Sequence, residues 1–130
     1  MAEVAYATHR GTILVVEDRD DVRHGLSELL ELNGFSVLDA RDGEQALARL
    51  DADPGGYALI LLDLVLPGRV SGTDLRRRQL ADAVLSSIPT IVITACDMGP
   101  EERQPLHPAA WLDKPYRMRD LLALVNQYVG

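Results

Sequence analysis

Five polar side chains each stand at the end of a short apolar run: Glu17, Asp18, Asp63, Thr94 and Lys114. Three carboxylates brought together would repel, at about 4 kcal/mol for each pair roughly 4 Å apart at an effective dielectric constant of about 20. Mg²⁺ suits such an all-oxygen site, because it binds one or two carboxylates and keeps several waters. Lys114 would supply a second positive charge.

Asp63 is the candidate nucleophile of this set. It follows the apolar run 58–62, and we expect its carboxylate to be exposed at the mouth of a pocket rather than buried. A carboxylate can attack phosphorus and form an aspartyl-phosphate. Mg²⁺ and Lys114 would hold the oxygens of the arriving phosphoryl group, so catalysis would be mainly positioning and charge stabilisation.

The elements that must position these residues follow from five apolar runs that alternate with segments of helical spacing. Such alternation is typical of an α/β fold, in which crossover helices join parallel strands. Ligands of such sheets bind beyond the carboxyl ends of the strands, so we expect the five residues to converge there. Strands are predicted at 12–16, 35–38, 57–62, 90–93 and 109–112, and helices at 20–33, from 42 onward, at 73–85 and at 119–128.

Two local features refine these helices. Asp20 is of a residue type that often caps helices, and it is predicted to cap the first helix. Pro100, Pro105 and Pro108 fall close together. Because proline breaks helix interiors, any fourth helix must be short or irregular.

The composition argues against several function classes. The net charge is −7, whereas direct nucleic-acid binding draws on clustered Lys and Arg. The one basic run, residues 76–78, is interpreted as a solvated helix face. Cys96 is the single cysteine and cannot form an internal disulfide, and no apolar run approaches the roughly 18 residues of a membrane span. We therefore expect a cytoplasmic protein with no membrane contact, made of an arm at 1–10 and one domain at 11–130.

Four motifs occur along the chain: ILVVED at 13–18, LLDLVLP at 61–67, IVITA at 91–95 and WLDKPY at 111–116. In their order and spacing, the chain resembles the receiver domains of bacterial response regulators, the phosphoryl-accepting modules of two-component and phosphorelay systems. The resemblance covers nearly all of residues 11–129. It implies a flavodoxin-like three-layer sandwich, with helices on both faces of a five-stranded parallel sheet of order 2-1-3-4-5.

The resemblance also implies a role for each acid. Asp63 matches the phosphoacceptor. Asp18, Asp63 and the backbone carbonyl of Val65 would ligate Mg²⁺ directly, and Glu17 would reach the metal through water.

Further roles fall to the later motifs. Thr94, Ala95 and Lys114 would bind the phosphoryl group. Thr94 and Trp111 match the residues that switch on phosphorylation. The resemblance implies a cis peptide bond before Pro115.

The partners implied are a histidine kinase or phosphotransfer protein as donor and a downstream protein that docks to the switched surface. Such a module is no enzyme in the ordinary sense, since it catalyses only its own phosphorylation and dephosphorylation. The alternative is a receiver-like module that binds proteins without phosphorylation, against which the complete acid set speaks. A haloacid dehalogenase-like phosphatase would need a second acid two residues after the nucleophile, where this chain has Val65.

Two departures from the usual receiver pattern concern the surroundings of Asp63. The glycine usually found eight places after the phosphoacceptor is Gly72, nine places on, and we expect the local geometry to survive. Val65 and Cys96 lie two places after Asp63 and Thr94, positions that tend to tune phosphoryl lifetime. Because both are small or apolar, we hypothesise a moderately long-lived phosphoryl state.

Overall fold

Five strands form a single parallel sheet in the computed structural model, which describes residues 11–95 and 97–129. Numbered by their order in the sequence, the strands lie across the sheet as second, first, third, fourth and fifth. The predicted α/β fold and strand order are confirmed. The predicted arm at 1–10 and Cys96 lie outside the described residues. The strands are β1 (Thr12–Val16), β2 (Ser36–Ala40), β3 (Tyr57–Asp63), β4 (Thr90–Ala95) and β5 (Ala110–Lys114).

Helices cover both faces of this sheet and join its strands. The proline-rich segment forms only one helical turn followed by a 3-10 turn, which confirms the prediction of a short, irregular fourth helix. No helix in the described part of the chain is long and apolar enough to cross a membrane. The helices are α1 (Asp20–Leu32), α2 (Gly43–Ala52), α3 (Gly72–Leu80), α4 (Pro100–Arg103) and α5 (Met118–Val129), with 3-10 turns at Leu85–Ser87 and Gln104–Leu106.

Strand β1 shows why the sheet is buried on both faces. Leu14 and Val16 belong to a core cluster on one face, whereas Ile13 and Val15 belong to a second cluster on the other. Successive side chains of a strand point to opposite faces, so a continuous apolar run fits a sheet covered on both sides. Burial of both faces leaves the carboxyl edge of the sheet as the place where polar side chains gather.

Two predicted helix boundaries are wrong for local reasons. Asp20 does not cap α1; Arg19 is the cap residue, and the Asp20 carboxylate instead accepts a hydrogen bond from Arg23 at 2.6 Å. The third helix ends at Leu80 rather than at residue 85. Asp82 accepts hydrogen bonds from two backbone N–H groups just after it, at 2.9 and 3.0 Å, and such side-chain bonds compete with helix continuation.

The basic run at 76–78 is not a uniformly solvated face, and that prediction is wrong for Arg76. Arg76 is 3% exposed, whereas Arg77 and Arg78 are exposed. Its guanidinium donates to the carbonyls of Leu106 at 2.8 Å and His107 at 2.7 Å. Position 76 shares a helical face with the other buried residues of α3, 72, 75 and 79, and this phase places the side chain inside.

Candidate functional site

Asp63 and Lys114 meet at the carboxyl edge of the sheet. They are the last residues of β3 and β5, and Lys114 Nζ lies 2.6 Å from Asp63 Oδ2. The other carboxylate oxygen, Oδ1, accepts a hydrogen bond from the Val65 backbone N–H at 2.9 Å. Asp63 is only 2% exposed, so the expectation of an exposed carboxylate is wrong. Groups that contact each of its oxygens cover it.

Glu17 lies beside this pair, directly after β1, and is 4% exposed. Its carboxylate accepts a hydrogen bond from the backbone N–H of Arg19 at 3.0 Å. Burial raises the pKa of Glu17 to about 7, and the neighbouring carboxylates of Asp63 and Asp18 add to the rise. Asp18 itself is exposed. The first strand therefore brings one buried and one solvated carboxylate to the site.

The carboxylates around Lys114 favour its charged form. Burial opposes its charged form, but the hydrogen bond and charge of Asp63, with the charge of Glu17, outweigh burial and raise the pKa of Lys114 above its ordinary value. The ammonium group thus stays charged at neutral pH. One cation nevertheless faces more than one carboxylate, so the site keeps an excess of negative charge.

This excess of carboxylate oxygen fits a hard divalent cation. No group of three Asp, Glu, His and Cys side chains among the described residues stands arranged as a metal cage. A cation here would thus be held by a few carboxylates, with backbone carbonyls and water completing its shell. Mg²⁺ has this preference, since it usually takes one or two carboxylates and retains several waters. Burial is the main cause of the elevated pKa of Glu17, and the neighbouring carboxylates of Asp63 and Asp18 add to it. A bound cation would offset the charge of these neighbours.

Strand β4 adds a hydroxyl group to the same edge. Thr94 is buried, and its hydroxyl donates to the backbone carbonyl of Ala95 at 3.2 Å and lies 3.8 Å from the sulfur of Met98. In the strand register, Ala95 pairs with Lys114 and Asp63 pairs with the residue before Thr94. Thr94 therefore lies near the carboxyl end of the strand next to Asp63, and Lys114 ends the strand beyond it.

The remaining predicted residues lie around β5. The peptide bond between Lys114 and Pro115 is cis. Trp111 is half-buried, packs against one core cluster and carries the guanidinium of Arg103 at 4.7 Å from its ring centroid. Arg103 also forms an ion pair with Asp113 at 2.7 Å, so one arginine bridges α4 and β5.

Gly72 explains how the longer loop after β3 closes. A Cβ atom at this position would lie 2.6 Å from the carbonyl oxygen of Leu64 and 2.7 Å from that of Asp63. The Gly72 N–H donates to the Leu64 carbonyl at 3.2 Å. Only glycine permits this approach, and it brings the start of α3 against the backbone of the candidate nucleophile.

Arg23 is a residue near the site that the sequence reasoning missed. Its guanidinium contacts the backbone carbonyls of Glu17 and Asp18. The available signal was its phase, since position 23 shares a helical face with the buried Leu26 and Leu30 of α1. A charged residue in phase with an apolar stripe must find polar partners inside the fold.

Comparisons with known proteins agree with this geometry over almost the whole chain. The family described as response regulator receiver domain matches residues 13–126. The chain is 38% identical over 120 residues to the uncharacterized transcriptional regulatory protein YkoG of Bacillus subtilis, covering 90% of this chain and 50% of that protein. It is 37% identical over 117 residues to the sensory transduction protein RegX3 of Mycobacterium tuberculosis, covering 88% and 49%. The chain therefore spans about half the length of these curated relatives.

Solved structures show the same architecture. A response regulator receiver protein from Pseudomonas putida superposes with a TM-score of 0.80 at 29% identity, over 91% of this chain and 97% of that one. The receiver domain of a signal transduction histidine kinase from Syntrophus aciditrophicus gives a TM-score of 0.82 at 25% identity, over 92% and 89%.

Proposed function

This chain belongs to the family of response regulator receiver domains, and we propose that it accepts a phosphoryl group on Asp63 in a Mg²⁺-dependent reaction. The observation that carries the proposal is the contact of Asp63 Oδ2 with Lys114 Nζ at 2.6 Å. It lies beside a buried Glu17 whose pKa is raised to about 7. An acceptor carboxylate, a paired cation and surplus acidic charge are what Mg²⁺-assisted transfer requires.

In the transfer step, a carboxylate oxygen of Asp63 attacks phosphorus. The new O–P bond forms while the bond from phosphorus to the donor breaks, and the donor leaves with that electron pair. Lys114 would pair with a phosphoryl oxygen, and the Thr94 hydroxyl would donate to another in place of its present bond to Ala95. This exchange at Thr94 would connect phosphorylation to Met98 and the surface around Trp111.

The metal would be held by Asp18, Asp63 and the backbone carbonyl of Val65, with Glu17 acting through water. When bound, Mg²⁺ supplies positive charge that offsets the charge developing on the phosphoryl oxygens. The protein contributes the fixed positions of these oxygen donors at the ends of two neighbouring strands.

The donor would be a histidine kinase or a phosphotransfer protein, and the output would be docking to a downstream protein. Receiver domains are signalling modules in general, so we expect no reaction beyond self-phosphorylation and self-dephosphorylation. The net charge of −7 favours protein docking over direct nucleic-acid binding by this chain. We expect the exchange to take place in the cytoplasm.

The test is phosphorylation by acetyl phosphate with and without Mg²⁺, followed by intact mass after a rapid acid quench. We expect one added phosphoryl group that depends on Mg²⁺ and is absent from Asp63→Asn. A matched control is Asp51→Asn, which removes an exposed acid on α2 and should leave the addition unchanged. If the wild type gains no mass and beryllofluoride leaves Trp111 fluorescence unaltered, the chain is instead a module that binds proteins without phosphorylation.

A further inference from the structure

Arg23 ties the turn after β1 to the rest of the fold. It lies on α1 and is 8% exposed. Its Nη1 donates to the carbonyl of Glu17 at 3.0 Å and reaches the carbonyl of Asp18 at 3.5 Å. One guanidinium group thus contacts the backbone of Glu17, whose side chain lies beside Asp63, and that of Asp18.

Two carboxylates anchor the other donors of Arg23 from different elements. Nη2 lies 2.6 Å from Asp20 Oδ1 on α1, and Nε lies 3.3 Å from Asp39 Oδ2 on β2. A planar guanidinium fixes the directions of its donors, which a lysine ammonium group cannot do. The backbone of Glu17 and Asp18 is therefore held against both a helix and the neighbouring strand.

Arg23 would act on a cation at the site in two opposing ways. As a positive charge it weakens the attraction of the carboxylates for a cation, so its removal would tighten binding. As a clamp it holds the turn in place, so its removal would let the turn relax and would weaken binding. Its ion pairs with Asp20 and Asp39 already offset much of its charge, which favours the second effect.

We propose, as an inference that rests on the proposed function, that Arg23 is a positioning residue for the acid pair Glu17–Asp18. It holds their backbone so that the two carboxylates can bind Mg²⁺ together with Asp63. Arg23 itself touches neither the metal nor the phosphoryl group. Its loss should therefore change the Mg²⁺ concentration that the reaction needs, and not the rate reached at saturation.

The experiment is a MgCl₂ titration followed by NMR shifts of the amides around residues 17–19, for the wild type, for Asp63→Asn and for three further variants. Arg23→Lys keeps the positive charge but loses the planar set of N–H donors, and Arg23→Gln loses both. Arg41→Gln is the matched control, because it removes an exposed arginine just after β2. We expect about tenfold weaker Mg²⁺ binding in both Arg23 variants, and no weakening in Arg41→Gln.

A rate measurement separates positioning from a general loss of structure. With acetyl phosphate, both Arg23 variants should reach the wild-type rate at saturating Mg²⁺, and urea unfolding at the same pH reports the folded fraction. If both variants fail to fold, Asp39→Asn takes their place. This substitution removes the charge of the carboxylate that pairs with Arg23 from β2 and leaves Arg23 intact, so it should weaken Mg²⁺ binding by a smaller factor.

Three outcomes decide between the possibilities. If both Arg23 variants bind Mg²⁺ more weakly and keep the wild-type phosphorylation rate at saturating Mg²⁺, Arg23 is a positioning residue as proposed. Wild-type affinity in Arg23→Lys with equal or tighter binding in Arg23→Gln overturns this inference and leaves Arg23 as a charge only. A wild type that shows no Mg²⁺-dependent shift, or the same shift as Asp63→Asn, overturns the proposed function and this inference with it.

Discussion

Replacing Arg76 by methionine should destabilise the fold far more than the same change one residue later. The Arg76 guanidinium donates to the Leu106 and His107 carbonyls and to the Gln79 side chain, at 2.7 to 2.8 Å. Hydrogen bonds to a charged group contribute roughly 1.5–3 kcal/mol each, so the three bonds contribute about 4–5 kcal/mol at the low end. Removing the cation recovers part of this, since burial lowers the pKa of Arg76 and its charge is costly to desolvate. The net loss expected is about 3 kcal/mol.

Urea unfolding followed by circular dichroism measures this loss. Arg77→Met is the matched control, because Arg77 lies on the same helix, is exposed, and should change stability by less than about 0.5 kcal/mol. Amide hydrogen exchange in Arg76→Met should also accelerate at residues 104, 106 and 107, because the carbonyls of Leu106 and His107 lose their donor. Equal unfolding midpoints for the two variants would refute the argument, since they would mean that the buried network contributes nothing net.

Three further predictions concern the site and its surroundings. With the pKa of Glu17 raised to about 7, the folded state binds a proton more tightly than the unfolded one. As the pH rises from about 5 to about 8, the free energy of unfolding of the metal-free wild type should therefore fall by about 2 kcal/mol more than that of Glu17→Gln. Urea unfolding measures both. Gly72→Ala should destabilise the fold by about 2 kcal/mol or more, because the new Cβ atom would collide with backbone. The control is Gly25→Ala on α1, where a Cβ atom has open space and should stabilise the helix by about 0.5–1 kcal/mol. Thermal unfolding compares the two variants. Arg103→Ala removes the cation over Trp111 and should shift the tryptophan emission to longer wavelength while costing about 1 kcal/mol or less; an unchanged spectrum would count against that contact.

Strand positions could be predicted from the sequence because both faces of the sheet are buried. A strand such as β3 then reads as a continuous apolar run, and the first polar residue after the run marks the carboxyl edge. This is why Asp63 and Lys114 could be placed together before their contact was seen. The burial of Asp63 could not be predicted, because it depends on Lys114, 51 residues further along the chain, and on the local turn that brings the Val65 N–H back to the carboxylate.

The predictions for the end of α3 and for the cap of α1 were wrong for a different reason. Asp82 and Asp20 are residue types that bond to whichever partner is nearest, and the sequence does not rank these partners. The Asp82 carboxylate accepts hydrogen bonds from two backbone N–H groups in the turn after the helix, and the Asp20 carboxylate accepts one from the guanidinium of Arg23. Helix boundaries set by such short polar side chains depend on the tertiary surroundings.

The arginines of this chain show that helical phase carries information that residue type hides. Arg23 and Arg76 are in phase with the buried stripes of α1 and α3, and each donates to carbonyls of an irregular segment. Arg49 is next to the stripe of α2, is half-buried, and donates to a carbonyl of β2. Arg77, one step out of phase, is exposed. An in-phase arginine must satisfy its donors inside the fold, and carbonyls without ladder partners are the acceptors that loops offer. Such a residue therefore marks a loop that the helix holds in place. For α1 that loop carries Glu17, which lies beside Asp63, and Asp18.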